Sequence, residues 1–133
     1  MTKLSLPHQL TCLISLLPML TFAQSKDSCE APGNTIDARA CAQEKFSAKD
    51  QQLNAAYQAV LKQLDSYQDN GPATKKMLIA SQRRWVEFRD ADCAAQQRLY
   101  QGGSASAEIY LDCMTEHTEQ RIKELNPTSW QAG

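Results

Sequence analysis

Residues 89–113 read "RDADCAAQQRLYQGGSASAEIYLDC". Cys93 and Cys113 stand ten residues on either side of Gly103. The runs that flank the glycine pair contain no proline, and their apolar residues recur at steps of three and four, the spacing of helices. Gly102-Gly103 stops the first run, so the second must fold back beside it. In an antiparallel pair folded about residue 103, residue 93 lies level with residue 113. A disulfide there clamps the hairpin, and closing a loop of that length contributes about 3 kcal/mol in the chain-entropy account. That reading requires an oxidising compartment.

The first residues point to such a compartment. Lys3 opens the chain, Leu10 to Phe22 is mostly apolar and uncharged, and Thr21-Phe22-Ala23 is a small-x-small tripeptide followed by the polar run Gln24-Ser25-Lys26-Asp27. This is the layout of a secretory signal peptide cleaved after Ala23. The apolar run is too short to span a bilayer and is broken by Pro18. Cys12 lies inside that run and not after it, which disfavours a lipoprotein. We therefore expect residues 1–23 to be a signal peptide, residues 24–133 to be one domain, and no membrane insertion after cleavage.

The mature part carries 13 Lys plus Arg against 15 Asp plus Glu, a net charge of −2. It lacks the basic excess of a general nucleic-acid or membrane-surface binder. Cys29, Cys41, Cys93 and Cys113 remain after cleavage. An even number in an exported chain reads as two disulfides with three possible pairings. Zinc wants close Cys or His pairs, and none stands here. With Cys93–Cys113 clamping the hairpin, Cys29–Cys41 follows by elimination. Cys41–Cys93 ranks second, because folding the first two helices about residue 70 or 71 sets residue 93 level with about residue 48.

No sustained alternation of a strand is present. In the first long segment Phe46, Leu53, Tyr57, Val60, Leu61, Leu64 and Tyr67 recur at helical steps. Asn34, with Asp37 three residues on, is placed to cap it. Ser47-x-x-Asp50 offers a second start that would break this helix in two. Asp69-Asn70-Gly71-Pro72 ends it, with Gly71 suited to a left-handed exit. A second helix is expected from about Thr74 to Tyr100 with Leu78, Ser81, Trp85, Phe88, Asp92, Ala95 and Leu99 as its core stripe. A third begins near Ser106, whose side chain suits the free amides there. Its stripe is Ala107, Tyr110, Cys113 or Met114, His117, Arg121 and Leu125, and Asn126-Pro127 ends it. Residues 127–133 read as a loose tail. The fold class is all-α, an antiparallel bundle of three main helices with two disulfides.

The run "QRRWVEFRDADC", then "GGS", "DC", Thr118, Arg121 and Leu125 resembles the LprI-like lysozyme-inhibitor family, as do Cys29, Cys41, Asp50, "LNAAY" at 53–57 and Leu61. The likeness covers almost the whole mature chain. Ala38 and Lys49 depart from the usual residue sizes without touching the cysteines. The resemblance implies an exported all-helical domain of the bacterial periplasm or cell envelope, in a family named for a member that inhibits lysozyme. It carries over no catalytic residue.

The chemistry-bearing residues are few. His117 is the one mature histidine. It sits on a helix face, where a packed side chain is the commoner role than a general base, which needs a positioned partner and a pocket. Ser104 and Ser106 lack the strand–turn–helix setting of a nucleophile elbow. The glycine pair lacks the spacing and lysine of a phosphate loop. We expect no catalytic residues, no metal and no cofactor. Arg83, Arg84, Arg89 and Arg98 make the second helix basic, and ion pairing with Glu44, Asp50, Glu87, Asp90 or Asp92 accounts for most of that. Arg83, Arg84 and Arg89 with the loop Gly102, Gly103 and Ser104 are the candidate binding residues. The expected function is a protein-binding module of the cell envelope acting on a lysozyme-like glycan hydrolase. The alternative is a structural or stress-related envelope protein that binds another partner, such as a periplasmic toxin.

Overall fold

The computed structural model describes residues 29–131. The expected signal peptide lies outside them. Three helices occupy most of this range: α1, Thr35–Leu64; α2, Gly71–Arg98; and α3, Ser106–Glu124. No strand occurs among the described residues.

α1 begins where Asn34 Oδ1 accepts the amides of Ile36 and Asp37 at 2.9 and 3.0 Å, while Asn34 Nδ2 donates to Asp37 Oδ2 at 2.9 Å. These bonds satisfy amides that have no partner within the helix. The helix then runs unbroken through Ser47 and Asp50. The internal start offered by Ser47 is not used, because helix hydrogen bonds already fill that turn.

The link to α2 differs from the expected one. α1 ends at Leu64, and Gly71 is the first residue of α2, not a left-handed exit from α1. Among the described residues only Gly102 has a positive φ, at 90°. Gly71 is required for a different reason: a side chain there would run into the Leu64 carbonyl oxygen. Ser106 starts α3 at the expected place but does not cap it; the cap is Ala105, which makes no side-chain bond.

Cross-helix pairs give the topology. Between α2 and α3 the pairs are Cys93–Cys113, Asp92–His117, Arg89–Thr118 and Gln82–Arg121. One number falls as the other rises, so the helices are antiparallel. Lys49–Glu119 and Gln63–Trp130 rise together, so α1 and the C-terminal segment run parallel. α3 packs chiefly on α1 and next on α2, whereas α1 and α2 touch little. α2 is therefore the helix with the most uncovered surface.

The main core joins Leu53, Val60, Leu61, Leu64, Leu78 and Leu125. A second cluster surrounds the Cys93–Cys113 bridge with Met114, Phe46 and Tyr110. Cys29 and Cys41 are also bonded, with Cα atoms 5.5 Å apart, against 5.6 Å for the hairpin pair. Phe46 beside Cys93 agrees with the expected level of α1 against α2.

Two further expectations are corrected. The buried row of α2 is Gly71, Leu78, Gln82, Arg89 and Cys93. In the anticipated stripe only Leu78 is buried, Trp85 is half-buried, and Phe88 and Leu99 are exposed. Polar Gln82 and Arg89 hide this row from a reading based on apolar spacing. The segment expected as a loose tail forms a 3₁₀ turn at Pro127–Trp130. Trp130 Nε1 donates to the Glu124 carbonyl at 3.1 Å, and Gln63 Nε2 donates to the Trp130 carbonyl at 3.2 Å.

Candidate functional site

Arg89 is 6% exposed and sits where the three helices meet. Its Nε donates to Asp90 Oδ1 at 3.0 Å, and its Nη1 reaches Thr118 Oγ1 at 3.3 Å and Asp50 Oδ1 at 3.5 Å. The guanidinium lies 5.2 Å from the Trp85 ring centre and 5.5 Å from that of Phe46. A buried cation needs such partners. A group so enclosed is internal structure, not a surface for another molecule. Arg121 repeats the pattern at one turn's remove: Nε donates to Gln82 Oε1 at 3.0 Å, Nη1 pairs with Glu124 at 2.9 Å, and the group lies 5.8 Å from Trp85.

Arg83 and Arg84 are exposed and form no ion pair among the described residues. The basic character of α2 thus divides: Arg89 is consumed internally, and Arg83 and Arg84 are free to meet carboxylates elsewhere. Gly102, Gly103 and Ser104 are exposed at the hairpin tip. From Arg84 to the end of α2 at Arg98 is about 21 Å at the helical rise, so the arginines and the loop do not form one compact site.

His117 Nε2 lies 2.9 Å from Asp92 Oδ2, which also accepts from Gln96 Nε2 at 3.2 Å. The Phe88 ring meets the imidazole edge to face at 5.6 Å. The carboxylate that a general base requires is therefore present. Two hydroxyls of the same helix are committed to its backbone: Thr115 donates to the Leu111 carbonyl at 2.8 Å and Thr118 to that of Met114 at 2.7 Å. A ring nitrogen of His117 and the sulfurs of Cys93 and Cys113 lie within 4.8 Å of one another, but those sulfurs are bonded to each other and offer no thiolate.

Two concavities flank α2. One, of about 470 Å³, lies at the α1–α2 corner between Tyr67, Asp69 and Trp130. The other, of about 520 Å³, is an open groove lined by Met77, Ala80, Ser81, Arg84, Trp85 and Phe88. Neither is lined by His117. Met77 lies outside the expected stripe of α2, although it stands in helical register with Ser81, Arg84 and Phe88. Near the first concavity, Asp65 is engaged by Lys75 at 2.6 and 2.8 Å. Lys49 bonds Glu119 at 3.0 Å, and its hydrogen bond and charge hold that carboxyl below the usual carboxylate range.

No helix of the described chain is long and apolar enough to cross a membrane. The family model described as "Lysozyme inhibitor LprI" matches residues 26–125. An uncharacterized protein of Rhizobium meliloti (strain 1021) is 28% identical over 109 residues, covering 77% of this chain and 78% of its own. No solved structure matches.

Proposed function

The chain belongs to the LprI lysozyme-inhibitor family, and we propose that it is an exported protein-binding module that inhibits a lysozyme-type glycan hydrolase in the periplasm or outside the cell. The observation that carries this reading is the family match across nearly the whole described domain. The two disulfides and the family fit an extracytoplasmic location, and residues 1–23 are proposed to be the signal that delivers it there.

Glycan hydrolases of this kind work with a pair of carboxylic side chains in a cleft. An inhibitor gains by offering a rigid projection and a cation to such a cleft. The Gly102-Gly103-Ser104 loop projects from a hairpin whose stems are joined by Cys93–Cys113. Arg83 supplies an exposed guanidinium that forms no ion pair among the described residues. We assign the cleft contact to the loop; Arg83, more than about 20 Å away along α2, would meet the enzyme outside the cleft, and the chain is given no catalytic role. Oxidised protein starting at Gln24 should slow the clearing of a bacterial cell-wall suspension by lysozyme and reach a plateau as inhibitor saturates enzyme. An unchanged clearing rate at large molar excess removes this function for the lysozyme used.

A further inference from the structure

α2 carries a second row of residues that the bundle leaves largely uncovered, although Phe88 and Asp92 in it meet His117 of α3. Met77, Phe88 and Leu99 are 73%, 57% and 82% exposed, unusual for large apolar side chains on one helix. Between them stand Ser81, Arg84, Asp92 and Ala95. The steps from 77 to 99 are four, three, four, four, three and four, the spacing of a helix–helix seam. At 3.6 residues per turn all seven positions stay within roughly 40° of one direction. Leu99 caps α2 with φ −64° and ψ −23°, so the helical path continues through it. This row lies well away from the buried row of Leu78, Gln82, Arg89 and Cys93.

The order of side chains along the seam identifies what covers it. Read from its two ends, Met77 mirrors Leu99, Ser81 mirrors Ala95, Arg84 mirrors Asp92, and Phe88 is its own mirror. Set antiparallel against itself, the row brings apolar to apolar, small to small and cation to anion, each twice. In a twofold interface each residue meets its mirrored position on the second copy, so the row must be complementary to its own reverse, whereas a face for a foreign protein need not be. We infer that this face is the docking surface for a second copy of the chain, with the two α2 helices antiparallel and Phe88 on the twofold axis.

The electrostatics agree. Arg84 has no ion-pair partner within the described chain. His117 and Gln96 both use Oδ2 of Asp92, so Oδ1 remains to accept from the Arg84 guanidinium of the second copy. The Asp92 side chain is 38% exposed and within reach of solvent. Small Ser81 and Ala95 let the helices approach closely between the bulkier contacts. This inference is independent of what the protein inhibits.

Sedimentation equilibrium of the oxidised chain from Gln24 tests it. The mass should rise from one chain to two with concentration. Phe88→Glu sets two carboxylates on the axis and should weaken the dimer at least tenfold, with helix content unchanged because Phe88 is exposed. Arg84→Asp leaves only anions at the mirrored positions, and Asp92→Arg leaves only cations, so each variant alone should be monomeric. Mixed in equal amounts, they restore two opposite-charge pairs and should form a one-to-one dimer. A wild-type chain that stays monomeric up to about 1 mM overturns the inference. So does a dimer indifferent to Phe88→Glu, or a charge-swapped mixture that does not associate.

Discussion

At the scale of single residues, Arg89 shows how a charged side chain becomes a core element. Its planar guanidinium bonds groups from all three helices and lies against two aromatic rings. Removing it strands Asp50, Asp90 and the Thr118 hydroxyl around a void, and breaking a buried ionic network costs several kcal/mol where both partners are buried. Asp50 and Asp90 keep 42% and 48% of their side-chain surface exposed and regain hydration, so we expect Arg89→Ala to cost about 2–3 kcal/mol. Arg89→Lys should recover less than half, since an ammonium cannot present the same fork or stack on the rings. The neighbouring change Arg83→Ala should stay within about 0.5 kcal/mol. Urea titration of the three variants decides this, and equal midpoints for Arg89→Ala and Arg83→Ala would remove Arg89 from the core account.

At the scale of elements, helix number, order and the hairpin bridge are legible in the sequence because they rest on strong local signals: Asn34 at a start, Gly102-Gly103 at a bend, cysteines at equal distances from it. The packed face of α2 is not. Its buried row contains Gln82 and Arg89, whose partners lie on other helices, while the more apolar row through Met77, Phe88 and Leu99 faces outward. The expected stripe follows the outward row from Ser81 onward and misses the buried one, because Gln82 and Arg89 interrupt its apolar spacing. The candidate site divides the same way, since sequence picks out Arg83, Arg84 and Arg89 together and only packing separates a core cation from two surface ones. Gly71 is a third instance. Its composition suggested a left-handed turn, whereas its actual constraint is the approach of the Leu64 carbonyl across the α1–α2 link. Gly71→Ala should therefore destabilise through backbone overlap by about 1–3 kcal/mol, although alanine is the better helix former. A thermal midpoint equal to or above that of the parent chain would show that the link yields freely and that this close approach is no constraint.

At the scale of the whole molecule, the fold is short of covered surface. α1 and α2 touch little, and one apolar row of α2 faces out. About a hundred residues arranged this way bury a modest core, and small exported domains commonly make up the shortfall with disulfides. Cys93–Cys113 closes a separation of 20 residues between α2 and α3, and Cys29–Cys41 closes 12 at the start of α1. In the chain-entropy account each contributes about 3 kcal/mol, against a total of about 5–15 kcal/mol for a domain of this kind. The two are not equivalent in place. Cys93 is fully buried at the centre of the second core cluster, whereas the Cys29 end lies in an exposed segment ahead of the first helix. Replacing both Cys93 and Cys113 by Ser should lower the thermal midpoint by roughly 10–20 °C. It also puts two hydroxyls into an apolar cluster, so a Cys93→Ala, Cys113→Ala chain separates the bridge from the polarity. The same exchange at Cys29 and Cys41 should cost less, because the segment it fastens packs against little else. Circular dichroism melts of the three double variants, with the parent chain melted under reducing conditions, measure this directly. If loss of the hairpin bridge moves the midpoint no more than loss of the N-terminal one, the joint between α2 and α3 is not the element on which the stability of the domain turns.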